Sequence, residues 1–175
     1  KTNNEGKAAI SFSLPVNLST TDGLLNVTVD YDAYTESISR SIPITLNKID
    51  LQFMPEGGTM LEGITGNIAF KALDENGKAA DIKGEVQDNK GNRVIIFESF
   101  HFGMGKFSFI PQPGQTYKAI IISPSNIHQQ FDLPTASANG VAMHIVKAQK
   151  KIMVTLAATN DMQVLLQATT KNVVY

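Results

Sequence analysis

Ile49-Asp50-Leu51-Gln52-Phe53 places an apolar side chain at every second position and a polar one between each pair. A pleated strand sends successive side chains to opposite faces, so this stretch reads as a strand with one dry and one wet face. The same alternation runs through Leu25, Val27, Val29 and Tyr31, and earlier through Ala8, Ile10, Phe12 and Leu14. It returns at 68–72, 82–86, 93–97, 106–110, 117–122, 141–146 and 152–156, in runs rich in β-branched and aromatic residues. Turn residues separate the runs. Asn76-Gly77 and Lys90-Gly91-Asn92 are hairpin signals, because Asn and Gly tolerate positive φ. Asp22-Gly23, Gly57-Gly58 and Pro111-Gln112-Pro113-Gly114 predict further reversals. Short strands punctuated roughly every 8–12 residues predict an all-β chain of two-sheet sandwiches. One segment reads two ways. Asn160 is a helix-capping residue with Met162, Leu165, Leu166 and Thr169 at helical spacing, while Met162, Val164, Leu166 and Ala168 fit one face of a strand. Its β-rich surroundings favour the strand.

Composition narrows the function. In 175 residues, 42% are hydrophobic, enough to build packed cores, and the net charge is -1. A nucleic-acid binder needs a basic surplus that this chain lacks. No apolar run approaches the roughly 20 residues of a membrane helix, so direct membrane insertion is not expected. No signal peptide is read at the start. The alternation is already under way near Lys1 and continues to Tyr175, so the chain reads as a piece of a longer protein. With no cysteine there is no disulfide, thiolate nucleophile or zinc–thiolate site within this stretch. No Gly-x-Ser-x-Gly elbow and no Gly-rich phosphate loop occurs. No catalytic residue, cofactor or metal site is therefore predicted, and the chain is not expected to be an enzyme.

The middle of the chain resembles a macroglobulin-type domain of the alpha-2-macroglobulin superfamily. The resemblance is carried by Leu51-Gln52-Phe53-Met54-Pro55-Glu56-Gly57-Gly58, Gly63, Ile68-Ala69-Phe70-Lys71-Ala72, Asn76-Gly77, Gly84-Glu85-Val86-Gln87-Asp88, Gly91, Gly103-Met104-Gly105-Lys106-Phe107 and Tyr117-Lys118-Ala119. It implies immunoglobulin/fibronectin-III-like β-sandwich domains: closing strands of a preceding domain at 1–46, a complete sandwich at 47–133, and opening strands of a following domain at 134–175. A half sandwich is marginal alone and leaves open edges. The two terminal sets of strands are therefore expected to complement each other, within one chain or in a strand-complemented dimer. The resemblance also implies a non-catalytic structural or interaction module of a bacterial envelope or secreted protein. Such a protein sits in the periplasm, at the outer membrane or on the cell surface, and its partners are proteases or other envelope proteins. The alternative is an accessory domain of a TonB-linked nutrient-uptake system that binds protein or polysaccharide. Without cysteine the chain cannot carry the thioester of full-length protease traps.

Two motifs are the candidate binding segments. Phe53, Pro55, Glu56, Gly57 and Gly58 form a strand exit or a binding loop, and only Glu56 brings polar side-chain chemistry. His101, Gly103, Met104 and Gly105, with Phe102, form a kinked connection or a ligand site. The kinked reading expects Phe100 or Phe102 in the core and close backbone approach at the glycines. Tyr117 is expected to be a buried tyrosine bonding back to the main chain. His101, His128 and His144 lie too far apart in sequence to signal zinc. Asp30, Asp32 and Glu36 read as a solvated acidic turn.

Overall fold

The computed structural model describes residues 2–15, 18, 22–44, 48–149, 151–170 and 173–174. The described residues form strands and turns with no helix. Strands β1 (Asp22–Tyr31) and β2 (Tyr34–Pro43) make an antiparallel hairpin. Seven strands follow: β3 (Ile49–Pro55), β4 (Gly66–Asp74), β5 (Lys83–Asp88), β6 (Arg93–Glu98), β7 (Met104–Phe109), β8 (Tyr117–Ser123) and β9 (Gln130–Asp132). They assemble into one sheet ordered β3-β4-β7 and a second ordered β6-β5-β8-β9, with every neighbour antiparallel. Strands β10 (Val141–Ala148) and β11 (Lys151–Ala158) form a second hairpin, and β12 (Thr169–Thr170) pairs with β13 (Val173–Val174).

The alternation that opens the chain's reading places the core. Ile49 and Leu51 of β3 are buried while Asp50 and Gln52 are exposed. Ile68, Phe70 and Ala72 of β4 face the same interior, opposed by Val86 of β5 and Ala119 and Ile121 of β8. An aromatic cluster joins the two sheets. Phe70 meets Phe97 edge-on at 5.0 Å, Phe97 stacks on Phe107 at 5.2 Å, and Phe109 meets Tyr117 at 4.8 Å. Burying each large side chain is worth roughly 1.5–3 kcal/mol, so this layer dominates the stability of the sandwich. The Tyr117 ring is buried, and its hydroxyl accepts the Gln112 N–H at 2.7 Å. At the Asn76-Gly77 turn, buried Asp74 accepts the N–H groups of Asn76 and Lys78 through Oδ1, which closes the turn. Met60 and Leu61, in the connection from β3 to β4, plug one end of the core.

Three expectations need correction. Residues 8–14 form no strand, and Ile10, Phe12 and Leu14 stand exposed. Residues 161–168 are neither strand nor helix, and Leu165 is 90% exposed. Alternation favours an extended backbone, but a ladder also needs a partner edge, and neither segment has one among the described residues. Asp22-Gly23 is not a reversal: it opens β1, where Gly23 lies against Ile42 and Ile44. Among the described residues the N-terminal and C-terminal strands share no ladder. Each hairpin pairs only with itself among the described residues. The expected boundary between 46 and 47 lies outside the described residues.

Candidate functional site: two hairpin docks

The two motifs lie at opposite ends of β4. Glu56 packs beside Asn67 at the start of β4, whereas Gly103 packs beside Ala72 near its end. At about 3.3 Å per residue these positions are separated by roughly 17 Å. Each motif meets one of the flanking hairpins.

At the first end, Pro55-Glu56-Gly57-Gly58 is a tight turn in which the Gly58 N–H donates to the Pro55 carbonyl at 2.9 Å. Gly57 has φ +77°, as the third position of a type II turn requires. Its missing side chain also admits β10: a Cβ there would lie 3.1 Å from the Met143 nitrogen and 3.2 Å from its oxygen. The turn aims the Glu56 carboxylate at the same strand. His144 Nδ1 stands 2.7 Å from the carboxylate, Asn67 Nδ2 donates to Oε2 at 2.7 Å, and the Ile145 N–H adds a third donor. The bonds from Asn67 and His144, in that order, hold the Glu56 carboxyl below its ordinary value of 4.5. An ionised carboxylate only accepts, so His144 Nδ1 carries a proton toward Glu56 in the neutral and the charged ring alike. The 3.3 Å approach of Asn67 Nδ2 to His144 Nδ1 is then a contact between two donors that share Glu56. Ser108 Oγ donates to Asn67 Oδ1 and orients that amide. The hydroxyl thus bonds an amide and not the imidazole, which is not the pairing that activates a serine nucleophile.

The linker into β10 is fixed as well. Glu62 N–H donates to the Ser137 carbonyl at 3.0 Å, and Ser137 N–H donates to the Met60 carbonyl at 2.8 Å. Between sandwich and hairpin lies a cavity of about 350 Å³, bordered by Pro55, Glu56, Met60, Ala142, His144 and Thr155.

At the second end, residues 101–104 turn the chain from one sheet to the other. Phe102 (φ 46°) and Gly103 (φ 70°) are both left-handed, the signature of a type I′ turn. Ala72 N–H donates to the Gly103 carbonyl at 2.8 Å, and Gly103 N–H donates to Asp81 Oδ1 at 3.0 Å. Asp81 also faces Arg40 of β2 at 3.5 Å, and the Arg40 guanidinium sits 5.0 Å over the Phe102 ring. The kinked reading therefore needs one correction: Phe100 and Phe102 are both largely exposed. Phe102 meets the β1–β2 hairpin instead of the core. The glycines do bring backbones close. A Cβ on Gly103 would come within 2.3 Å of the Ala72 oxygen, and one on Gly105 within 2.3 Å of the Phe70 ring.

Of the sequence-derived candidates, Glu56 and Gly57 thus meet the C-terminal hairpin, while Gly103 supports the N-terminal one through Asp81. Phe53, Gly105 and Tyr117 belong to the sandwich, Phe53 through edge contacts with Phe97 and Phe107. Pro55 and Gly58 shape the turn. Met104 bridges back to His101, and the His101 ring lies edge-on to Phe102 at 4.3 Å. Sequence reading missed Asn67, His144, Arg40 and Asp81. The one available signal was His144 itself, a lone imidazole in the otherwise apolar run 141–146. Among the described residues, no group of three or more His, Cys, Asp or Glu side chains is arranged to hold a metal ion.

Acid is expected to open the first dock. A carboxyl whose pKa is depressed when docked stabilises that state fully above its ordinary value and loses the contribution as pH falls through the depressed one. Amide shifts of β10 and β11 should move toward unstructured values as pH falls below the ordinary Glu56 value of 4.5, before those of β4 change. Simultaneous loss of both would contradict a local role for Glu56.

A scan against protein-family models and a search of curated proteins each found no match to this chain.

Proposed function

We propose that this chain is a non-catalytic structural module of a macroglobulin-like bacterial envelope or secreted protein. In this reading an immunoglobulin/fibronectin-III-like sandwich acts as a spacer that holds one hairpin at each end and presents them to protein partners. The observation that carries it is the use made of the two motifs. Gly57 and Glu56 receive the backbone and the histidine of β10, and the turn carrying Phe102 and Gly103 receives Arg40 of β2. The polar groups of these turns are engaged in holding the chain together. The seven antiparallel strands in sheets of three and four, with a tyrosine at the start of β8 bonded to the preceding turn, support the sandwich type.

Small-angle X-ray scattering tests the spacer. The native chain should scatter as one rigid particle, and the double variant Arg40→Ala/Glu56→Ala as a folded core with mobile ends. Native scattering already matching that of the double variant would overturn the proposal.

A further inference from the structure

Both hairpins are amphipathic, and each leaves the tip half of its more apolar face open. In β1–β2 the register puts Val27 opposite Ile38, Val29 opposite Glu36 and Tyr31 opposite Tyr34 on one face, with Leu25 opposite Arg40 at its base, where Arg40 meets the sandwich, while Leu24, Asn26, Thr28, Ser37 and Ser39 occupy the other. Val29, Tyr31, Tyr34 and Ile38 are exposed, at 48, 73, 74 and 60%. In β10–β11 the pairs Met143–Leu156, Ile145–Val154 and Lys147–Ile152 share one face. His144, which binds Glu56, lies on the opposite face, so the dock uses the less apolar side. Ile145, Ile152, Val154 and Leu156 are left exposed. A two-stranded hairpin is marginal until such a face is covered.

Charge selects the cover. The β1–β2 hairpin carries Asp22, Asp30, Asp32 and Glu36 against Arg40 alone, with three of the carboxylates around its tip. The sequence 141–158 carries Lys147, Lys150 and Lys151 and no carboxylate. Two like hairpins would set acid on acid or base on base. Unlike hairpins set an acidic tip on a basic one, with three cross-strand pairs facing three and one charged residue in each set, as in a minimal two-sheet packing.

We infer that the open face of β1–β2 is covered by the open face of β10–β11 from a second copy of this chain. This deepens the spacer reading by naming its partner. Because the two hairpins are held at opposite ends of β4, the contact is heterologous and propagates head to tail. Within the contact Glu36 and Lys147 are the acid and the base that share the apolar faces near the tips. About six residues a side is small against the roughly 20–30 of a standard interface. The association is therefore weak, concentration-dependent and weakened by salt.

Sedimentation velocity on the 175-residue chain, from about 10 μM to about 1 mM, tests this. The sedimentation coefficient should rise with concentration at low salt and fall when salt is added. K147E/K151E alone and D30K/E36K alone should each stay monomeric. An equimolar mixture of the two should associate, since each then offers the other a complementary face. That rescue also shows that both variants are folded. A wild-type chain that stays monomeric throughout, variants that self-associate like wild type, or a mixture that does not associate would each overturn the inference. A rigid monomer by scattering would leave the spacer reading standing, so the two failures are distinguishable.

Discussion

Gly103→Ala should lower the unfolding free energy by about 4 kcal/mol or more, the rare upper range for one substitution. Two costs combine. The residue has φ +70°, where any L side chain is strained by about 1–2 kcal/mol. The new Cβ would also sit 2.3 Å from the Ala72 oxygen and 3.0 Å from the Ala80 nitrogen and oxygen. These are backbone atoms, so no rotamer change relieves the contact. Relief requires the 101–104 turn to lift away, which breaks the Ala72 to Gly103 bond and the Gly103 to Asp81 bond. Gly114→Ala is the matched control. It has φ +68° but open space around its Cβ, so only the backbone strain of about 1–2 kcal/mol applies. Urea unfolding of both variants checks the difference, and equal losses would contradict the close-approach account.

Phe70→Ala should cost about 3–5 kcal/mol, the range for removing a fully buried aromatic ring. Phe70 is 1% exposed and packs against Phe97 of the other sheet and Phe107 of its own. Its ring also lies over Gly105, its register partner on β7. The two positions should therefore couple. Gly105→Ala alone forces the ring aside and also meets the Glu98 oxygen at 2.7 Å; the Phe70→Ala background relieves the first contact and not the second, so the double variant should be more stable than the sum of the singles predicts. Phe102→Ala, which removes an exposed ring under Arg40, should cost about 1 kcal/mol or less. Thermal unfolding of the four proteins is the check. A Phe102 loss as large as that of Phe70 would contradict the core assignment.

The same physical distinction governs how far the amino-acid sequence could be read. Period-two alternation located β3 through β8 within a few residues, because in those segments one face is buried and a partner strand exists on at least one edge. Residues 8–14 and 162–168 carry the same pattern and have no ladder among the described residues. Alternation encodes which face wants to be dry, not which edge is paired. Met60 and Leu61 were invisible to the pattern, since they lie in a connection where no period applies and are buried by closing the end of the core. At the docks, the turn chemistry of Gly57 and Gly103 was legible because positive φ leaves a compositional trace. Their partners were not. Glu56 and His144 are 88 residues apart, and Arg40 reaches Asp81 and Phe102 only once a hairpin is laid on the sandwich. The polar cluster was therefore readable one residue at a time and never as a set.

The central claim is that the turns around Glu56 and Phe102 attach hairpins to a rigid sandwich. Nitrogen-15 relaxation of backbone amides tests it most directly. In the native chain the amides of β1–β2 and β10–β11 should share one rotational correlation time with those of β3–β8. Glu56→Ala should shorten that time for β10–β11 alone. Hairpins that already tumble faster than the sandwich in the native chain, or a β10–β11 hairpin that is indifferent to loss of the Glu56 carboxylate, would contradict the account.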